Sequence, residues 1–469
     1  MKIAKNRMGF VLLTFLMICA VYSVEANESG IFDITRYGAK VDGKTVNTEA
    51  IQKALDACEA RGGGIVSVPP GIFVSGTLYL KDHTELRLER GAVLKASPNR
   101  KDYCSLDAYP QNGESFHEGW SGGHLIVAVG KSDIALSGPG LIDGSADLFL
   151  GEPRFTEGAI GWRHGFANTK DKYNGPEEEK IRASLRPGQL IVFCESRDIR
   201  ISDISIKNSP CWCCFLHGCE DVFISGVKID NPPYFANSDG IDIDSCSRVI
   251  VSDCRILTGD DAFAVRGNPR RLTDKNRVCE HIVINNCVVS SASSVFRIGV
   301  GDGTIHDVLI SNIDIIEGGT GLHFQSSYSA RAPKGVNISR VRCSNISMRN
   351  VGWAIKITPG TKTATAKIED LFFDGIYAET FLGVNISANE NTAPERITFR
   401  NSNFVAAENP IKMKIFPDTF LDIGGGKNTV LENVSVRFVN PNWKKTIPDS
   451  LKDQSFRIIN CNFPDPSNK

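Results

Sequence analysis

From about residue 190 the chain repeats a pair of short apolar strands, and that repeat constrains the fold more than any other feature of the sequence. The units read DIRISDISIKN, DVFISGVKIDN, RVIVSDCRILT, HIVINNCVVSS, DVLISNIDIIE, GVNISRVRCSN and RITFRNSNFVA, with starts recurring at about 23 to 35 residues. β-Branched residues alternate with polar ones, so each strand has one face to bury. Asn and Gly punctuate the turns. A unit this short cannot enclose its own core. Neighbours must stack, and the expected fold is all-β, a single-stranded right-handed parallel β-helix. A propeller would need longer, more uniform, four-stranded blades.

A solenoid of this kind needs its ends covered. Residues 31–100 supply a cover: Asn47 and Thr48 can cap a helix whose apolar face is Ile51, Ala54, Leu55 and Cys58, and the run Arg61-Gly62-Gly63-Gly64 ends it. Short strands follow at Ile65–Val68, Leu78–Leu80 and Leu86–Leu88. Before this cap, Lys2, Lys5 and Arg7 precede an apolar run from Met8 to Val24, and Val24-Glu25-Ala26 resembles a cleavage end. Residues 1–26 are therefore expected to be a secretory signal. Residues 27–469 are expected to be one exported β-helix domain, periplasmic or secreted and monomeric, with no membrane span once the signal is removed. Residues 101–190 depart from the repeat and carry Tyr103, Trp120, His124, Trp162 and His164. They are expected to form long loops on the binding face.

Net charge is −1, so the charge balance does not point to nucleic acid or acidic membranes. Of the 14 cysteines, Cys19 lies in the signal, and Cys246, Cys254, Cys279 and Cys287 recur at matching places in successive units. Stacked small apolar side chains account for them as well as disulfides do. No spacing fits a zinc site, and neither a metal nor a cofactor is expected.

Two adjacent units carry acids at their strand ends: Asn237-Ser238-Asp239-Gly240-Ile241-Asp242 and Gly259-Asp260-Asp261. The gap from Asp239 to Asp260 is about one coil, which places them roughly 4.8 Å apart along the stack. Like charges that close cannot all ionise at ordinary pH, so at least one is expected to hold a proton. An acid beside ionised carboxylates is what glycoside hydrolysis requires. A turn-capping role for each Asp, or calcium binding by the group, is the competing explanation.

The chain resembles glycoside hydrolase family 28, the polygalacturonase and rhamnogalacturonase family. The resemblance runs from about residue 31 to 440 through RYGAKVDGKTVNTEAI, GTLYLKDHTELRLERGAVL, GPGLIDG, RPGQLIVF, IKNSPCW, NSDGIDIDS and GDDAFAV. It implies that Asp260 is the general acid, that Asp239 and Asp261 hold and deprotonate the attacking water, and that the anomeric centre inverts. Asp242 would be a supporting carboxylate, and Asn237 would stand beside the substrate.

The pattern also breaks. The family's Gly-His-Gly is replaced by Ser291–Ser294, with Ser293 nearest the histidine's place, and its Arg-Ile-Lys is replaced by His323-Phe324-Gln325. Arg266, Arg297, His323 and Lys356 are the candidates to grip a substrate carboxylate instead. Trp212 and Phe215 read as packing rather than as a sugar platform. The expected partner is a pectic polysaccharide or oligosaccharide. The alternatives are a hydrolase of another uronate-containing glycan, a polysaccharide lyase, and a glycan-binding solenoid without catalysis.

Overall fold

A computed structural model describes residues 30–104, 123–149, 186–233, 237–328, 332–408, 417–440, 442–449, 456–464 and 466. The expected signal at 1–26 lies outside these residues, as does most of the 101–190 segment, including Trp120, Trp162 and His164.

The described strands pair in parallel and join a single 27-stranded sheet that winds as a right-handed β-helix. The sheet has three faces. On the first, Leu136, Ile201, Ile224, Val251, Ile284 and Ile310 stack in strict register, one per coil. They belong to one continuous core. Phe263 and Phe296 stack inside it with centroids 5.1 Å apart, and Phe373 lies 4.9 Å from Phe399. Alternation fixes this arrangement, because a slip of one residue would turn every apolar side chain outward.

The asparagines noted in the sequence make the corner between the first and second faces. Asn286, Asn312, Asn345, Asn401 and Asn433 all adopt left-handed backbone, with φ between 47° and 56°. Asn tolerates that conformation better than any other non-glycine residue, and its side chain is short enough to bond locally. The ladder is linked: Asn312 Nδ2 donates to Asn286 Oδ1 at 3.1 Å, and Asn345 Nδ2 to Asn312 Oδ1 at 2.7 Å.

The thirteen described cysteines are free thiols. Cys287 shares a register position with Ile313, Ile346 and Ile376, and Cys279 shares one with Ile305, Ile338 and Ile368. These cysteines therefore fill places that later coils give to isoleucine.

The cap helix α1 runs Thr48–Ala60 and buries Ile51, Ala54, Leu55 and Cys58. Burying Ile51 and Leu55 contributes roughly 1.5–3 kcal/mol each, and a Leu55→Asp change would break the cap. The cap differs from expectation at its start. Asn47 occupies the N-cap position without bonding the helix; its side chain accepts from Lys40 N at 2.7 Å and donates to Thr45 O at 2.8 Å. The Thr48 hydroxyl accepts from Gly76 N at 2.7 Å. Asn47 thus braces the loop that leads into the helix, and Thr48 ties the helix to the coil beneath. Gly63 ends the turn at φ 117°, where a Cβ would lie 2.4 Å from His83 O. At the far end Trp443 packs edge-on against Phe420, 5.0 Å away.

The 101–190 segment is not loop throughout. Strands Ile126–Val129, Ser132–Ser137 and Leu141–Asp143 form a complete coil, paired on one side with the cap strands and on the other with the repeats. Ile126, Ala128, Ile134, Leu136 and Ile142 are buried as in any other coil. A single copy of the pattern between two long insertions is too short to stand out in the sequence.

Candidate active site

The acids sit where the second face turns into the third. Asp239 lies between strands Lys228–Asp230 and Ile241–Asp244. Asp260 and Asp261 hold the same place one coil on, between Arg255–Thr258 and Phe263–Gly267. One oxygen from each of the three carboxylates lies within 4.8 Å of the others.

Backbone and serine groups lock the two turns together. Asn237, left-handed at φ 53°, donates its N–H to Asp260 Oδ2 at 3.1 Å, and Asp261 N–H donates to Asp260 Oδ1 at 3.0 Å. Gly259 N–H donates to Ser238 Oγ at 3.0 Å. The buried Asn231 supports the first turn by donating Nδ2 to Ser238 O at 3.2 Å. Ser291 Oγ donates to Asp260 O at 2.7 Å. Ser293 donates Oγ to Asp261 Oδ1 at 3.2 Å, and Ser294 N–H reaches the same oxygen at 3.1 Å. Arg186 Nη2 approaches Asn237 Oδ1 at 3.4 Å.

Burial pushes the Asp239 carboxyl well above its ordinary range, and Asp260, Asp242 and Asp261 add to the shift. Its Oδ1 is buried and has no hydrogen-bond partner among the described residues. Asp261 is raised to about 6 by burial and by Asp260, against the opposing pull of Arg297 and the bonds from Ser294 and Ser293. Burial and mutual repulsion thus favour retention of a proton within the cluster, which can offer an acid beside a base.

The third face forms the floor. Along its outward row, Val192, Phe215, Asp242, Ala264, Arg297, His323, Lys356, Asn385 and Asp422 follow one another in register, one per coil. Arg297, His323 and Lys356 thus arrive from three successive coils, which the sequence could nominate singly but not align. Arg297 Nη1 donates to His323 Nδ1 at 3.1 Å. Because arginine only donates, Nδ1 is the acceptor and the His323 proton sits on Nε2, which is buried and has no partner among the described residues. Burial, with Arg297 and Lys356 alongside, holds His323 well below the usual histidine range, so it is neutral. Burial and Arg297 also lower Lys356. Among the described residues neither Arg297 nor Lys356 makes an ion pair, although Arg297 stacks its guanidinium 4.9 Å above the ring of Tyr328.

Arg266 is placed differently. Its guanidinium pairs with Asp244 at 3.3 Å and Asp242 at 3.7 Å and lies 4.4 Å above the Trp212 ring. It is committed to the protein, and Asp242 with it. Trp212 and Phe215 are buried in a small outer cluster with Val192, Cys194, Cys211 and Leu272. Sequence reading missed Tyr328, Ser294 and Asn231. Tyr328 follows a strand by a loop and carries no periodic signal, whereas Ser294 and Asn231 act on neighbouring coils.

A family model described as glycosyl hydrolases family 28 matches residues 126–420. A probable polygalacturonase of Vitis vinifera is 27% identical over 349 residues, covering 72% of this chain and 64% of the relative. An endo-polygalacturonase of Pectobacterium parmentieri is 26% identical over 374 residues, covering 77% of this chain and 85% of the relative. Among solved structures, a family 28 exopolygalacturonase of Yersinia enterocolitica superposes with a TM-score of 0.64 at 17% identity, covering 92% of this chain and 79% of that one.

Proposed function

The chain belongs to glycosyl hydrolases family 28 and is thus a glycoside hydrolase, and from that premise we propose that it cuts a pectic, uronate-containing glycan at the Asp239–Asp260–Asp261 cluster. The observation that carries the substrate class is the row Arg297–His323–Lys356. Two cations two coils apart, Arg297 buried and Lys356 half-buried, make no ion pair among the described residues, although Arg297 also acts on the Asp261 carboxylate. A uronate carboxylate beside the scissile bond supplies the missing charge, and a guanidinium can hold it with two hydrogen bonds. The neutral His323 adds an Nε2 donor without adding further positive charge.

In this reading Asp260 protonates the leaving oxygen, and Asp239 and Asp261 position the water and take its proton. Burial favours a proton within the cluster, and this reading requires it on Asp260, with Asp239 and Asp261 ionised to receive the water's proton. Asp242 stays behind the site, held by Arg266, as a supporting carboxylate. The similarity of relatives named polygalacturonases supports galacturonate as the sugar. Export follows from the signal-like residues 1–26, and no helix among the described residues is long and apolar enough to cross a membrane.

A second stereochemical course has an observation in its favour. Carboxylate oxygens within 4.8 Å are nearer the spacing of retaining pairs than the roughly 6.5–9.5 Å of most inverting ones. Inversion rests on the family resemblance, and proton NMR of the first-formed anomer decides between them. The test of the whole reading is hydrolysis of galacturonate oligomers by the wild type and by Asp260→Asn. Reducing ends should appear with the first and not with the second. Unsaturated ends absorbing in the ultraviolet would mark a lyase and overturn it.

A further inference from the structure

We infer that the corner between the third and first faces carries a second glycan site, a cationic pocket that seats an acidic sugar of the polymer away from the cutting centre. The choice of a uronate as its ligand rests on the substrate class proposed above. The acids and this corner lie at opposite ends of the same strands. Asp260 and Asp261 precede strand Phe263–Gly267, and the pocket is lined by the segment that follows it. Extended chain from Asp261 to Gly267 spans about 20 Å, so a sugar held at the acids does not fill the pocket.

Three coils build it. Arg270, Lys275 and Arg277 come from the segment after Gly267, Asp302 and Thr304 from the turn of the next coil, and Asn337 from the coil beyond. The space between them is about 700 Å³, within the roughly 300–1,000 Å³ of small-ligand sites. At its base the walls meet: a Cβ on Gly303 would lie 2.9 Å from the Pro269 ring, and Gly303 O accepts from Asn337 N–H at 3.1 Å. The corner is cationic although the whole chain carries a charge of −1. Residues 268–278 read NPRRLTDKNRV, four cations to one acid. The neighbouring acids are already bound. Arg270 Nε holds Asp302 at 2.6 Å, and Glu220 is shared between Arg248 and Arg277. Lys275, Lys334 and Lys367 are the surplus: all three are exposed, and none makes an ion pair among the described residues. Lys367 N–H donates to Asn337 Oδ1 at 3.1 Å, which sets that lysine at the far rim. The lysines draw an acidic chain to the corner, and the guanidinium groups, held in place by Asp302 and Glu220, present donors that match a carboxylate. Asn276 and Thr304 offer amide and hydroxyl groups to the sugar's own hydroxyls. A polymer seated here stays beside the groove between turnovers, which raises its local concentration without any part in the reaction.

Native gels containing polygalacturonate test this, with the protein carrying Asp260→Asn so that the polymer stays uncut. Two sets of changes are added to it. Lys275→Ala with Lys334→Ala and Lys367→Ala removes the surplus charge; Asn276→Trp fills the pocket at unchanged charge. All four positions are exposed, and a wild-type circular-dichroism spectrum checks each fold. Polygalacturonate should retard the parent, and both sets should lose most of that retardation. In the active enzyme both should raise KM for long polygalacturonate about 3- to 30-fold and leave kcat/KM on a galacturonate trimer unchanged. An unchanged KM on the polymer, or equal losses on polymer and trimer, overturns the second site. Equal retardation of the parent by dextran sulfate, with Asn276→Trp without effect, marks bare charge attraction and overturns the pocket as well. If the wild type cuts only neutral galactan or arabinan, the uronate reading of the groove falls, while polygalacturonate retardation that Asn276→Trp abolishes still upholds the pocket.

Discussion

Two columns of charged residues run along this solenoid, and they are built in opposite ways. On the first face, Asp221, Arg248, His281, Asp307, Arg340, Asp370 and Arg396 stack on successive coils, each in left-handed backbone at φ 51–57°. Sign alternates along much of the column, and neighbours pair: Arg248 Nε with Asp221 at 2.6 Å, Arg340 Nε with Asp307 at 2.7 Å, and Arg396 Nε with Asp370 at 2.7 Å. On the third face, the cations Arg297 and Lys356 flank the neutral His323, and among the described residues neither makes an ion pair. The first column is complete in itself and lies in water, where each pair adds little. The second is largely withdrawn from water, and in the proposed function a substrate carboxylate completes it. The contrast suggests that an unbalanced charged column is the better candidate for a binding site.

The titrations follow the same division. The bond from Arg340 holds Asp307 down to about 2, whereas burial and Asp260 lift Asp261 to about 6. A carboxyl lowered on folding contributes stability above its unfolded value, and that contribution is lost as pH falls through the folded one. A carboxyl raised on folding does the reverse: folding is favoured below the unfolded value, and the benefit is gone once pH passes the folded one.

The comparison can be broken most severely at the acids. Asp260→Asn should lower kcat by about 10²- to 10⁴-fold with the thermal unfolding midpoint kept. A smaller loss would mean that another group supplies the proton. Next, Asp261→Asn should stabilise the protein at pH 7 and not at pH 3. The distance from 3.8 to about 6 corresponds to at most roughly 3 kcal/mol, readable as a Tm difference between the two pH values. In the wild type, kcat/KM should fall as pH drops below about 6, where Asp261 takes up its proton.

Arg297→Ala should raise KM for a galacturonate oligomer by about 10- to 100-fold, the worth of one charged hydrogen-bonding group, and should hardly change kinetics on the methyl-esterified oligomer. Equal losses on both would remove the carboxylate from the argument. The smallest effect belongs to the first face. Arg340→Ala should cost ~0.2–1 kcal/mol of stability, fading as pH falls toward 2, with activity untouched. Any loss of activity there would erase the contrast between the columns.

Much of this was legible in the chain itself. Alternation in DVFISGVKIDN and its kin gave two strands of each coil, one core and the Asn turns, because a strand must bury one side and a tight corner must accept left-handed backbone, whereas the third face emerged only in the structure. The one-coil gap between Asp239 and Asp260 placed the acids together for the same reason. The coil at 126–143 escaped notice because its neighbours are long insertions. Arg266 looked like a substrate ligand until its partners on other coils became visible.

The sequence by itself determined the solenoid and the acid cluster, since both depend on periods written along one strand or between adjacent units. Only the tertiary structure decided which cations are already paired within the protein and what covers Trp212 and Phe215. Those depend on contacts between residues tens of positions apart, such as Arg266 with Asp244 and Leu272 with Trp212. Insertions of unequal length hide such contacts from any count along the chain, whereas the uniform strand spacing brings them together in space.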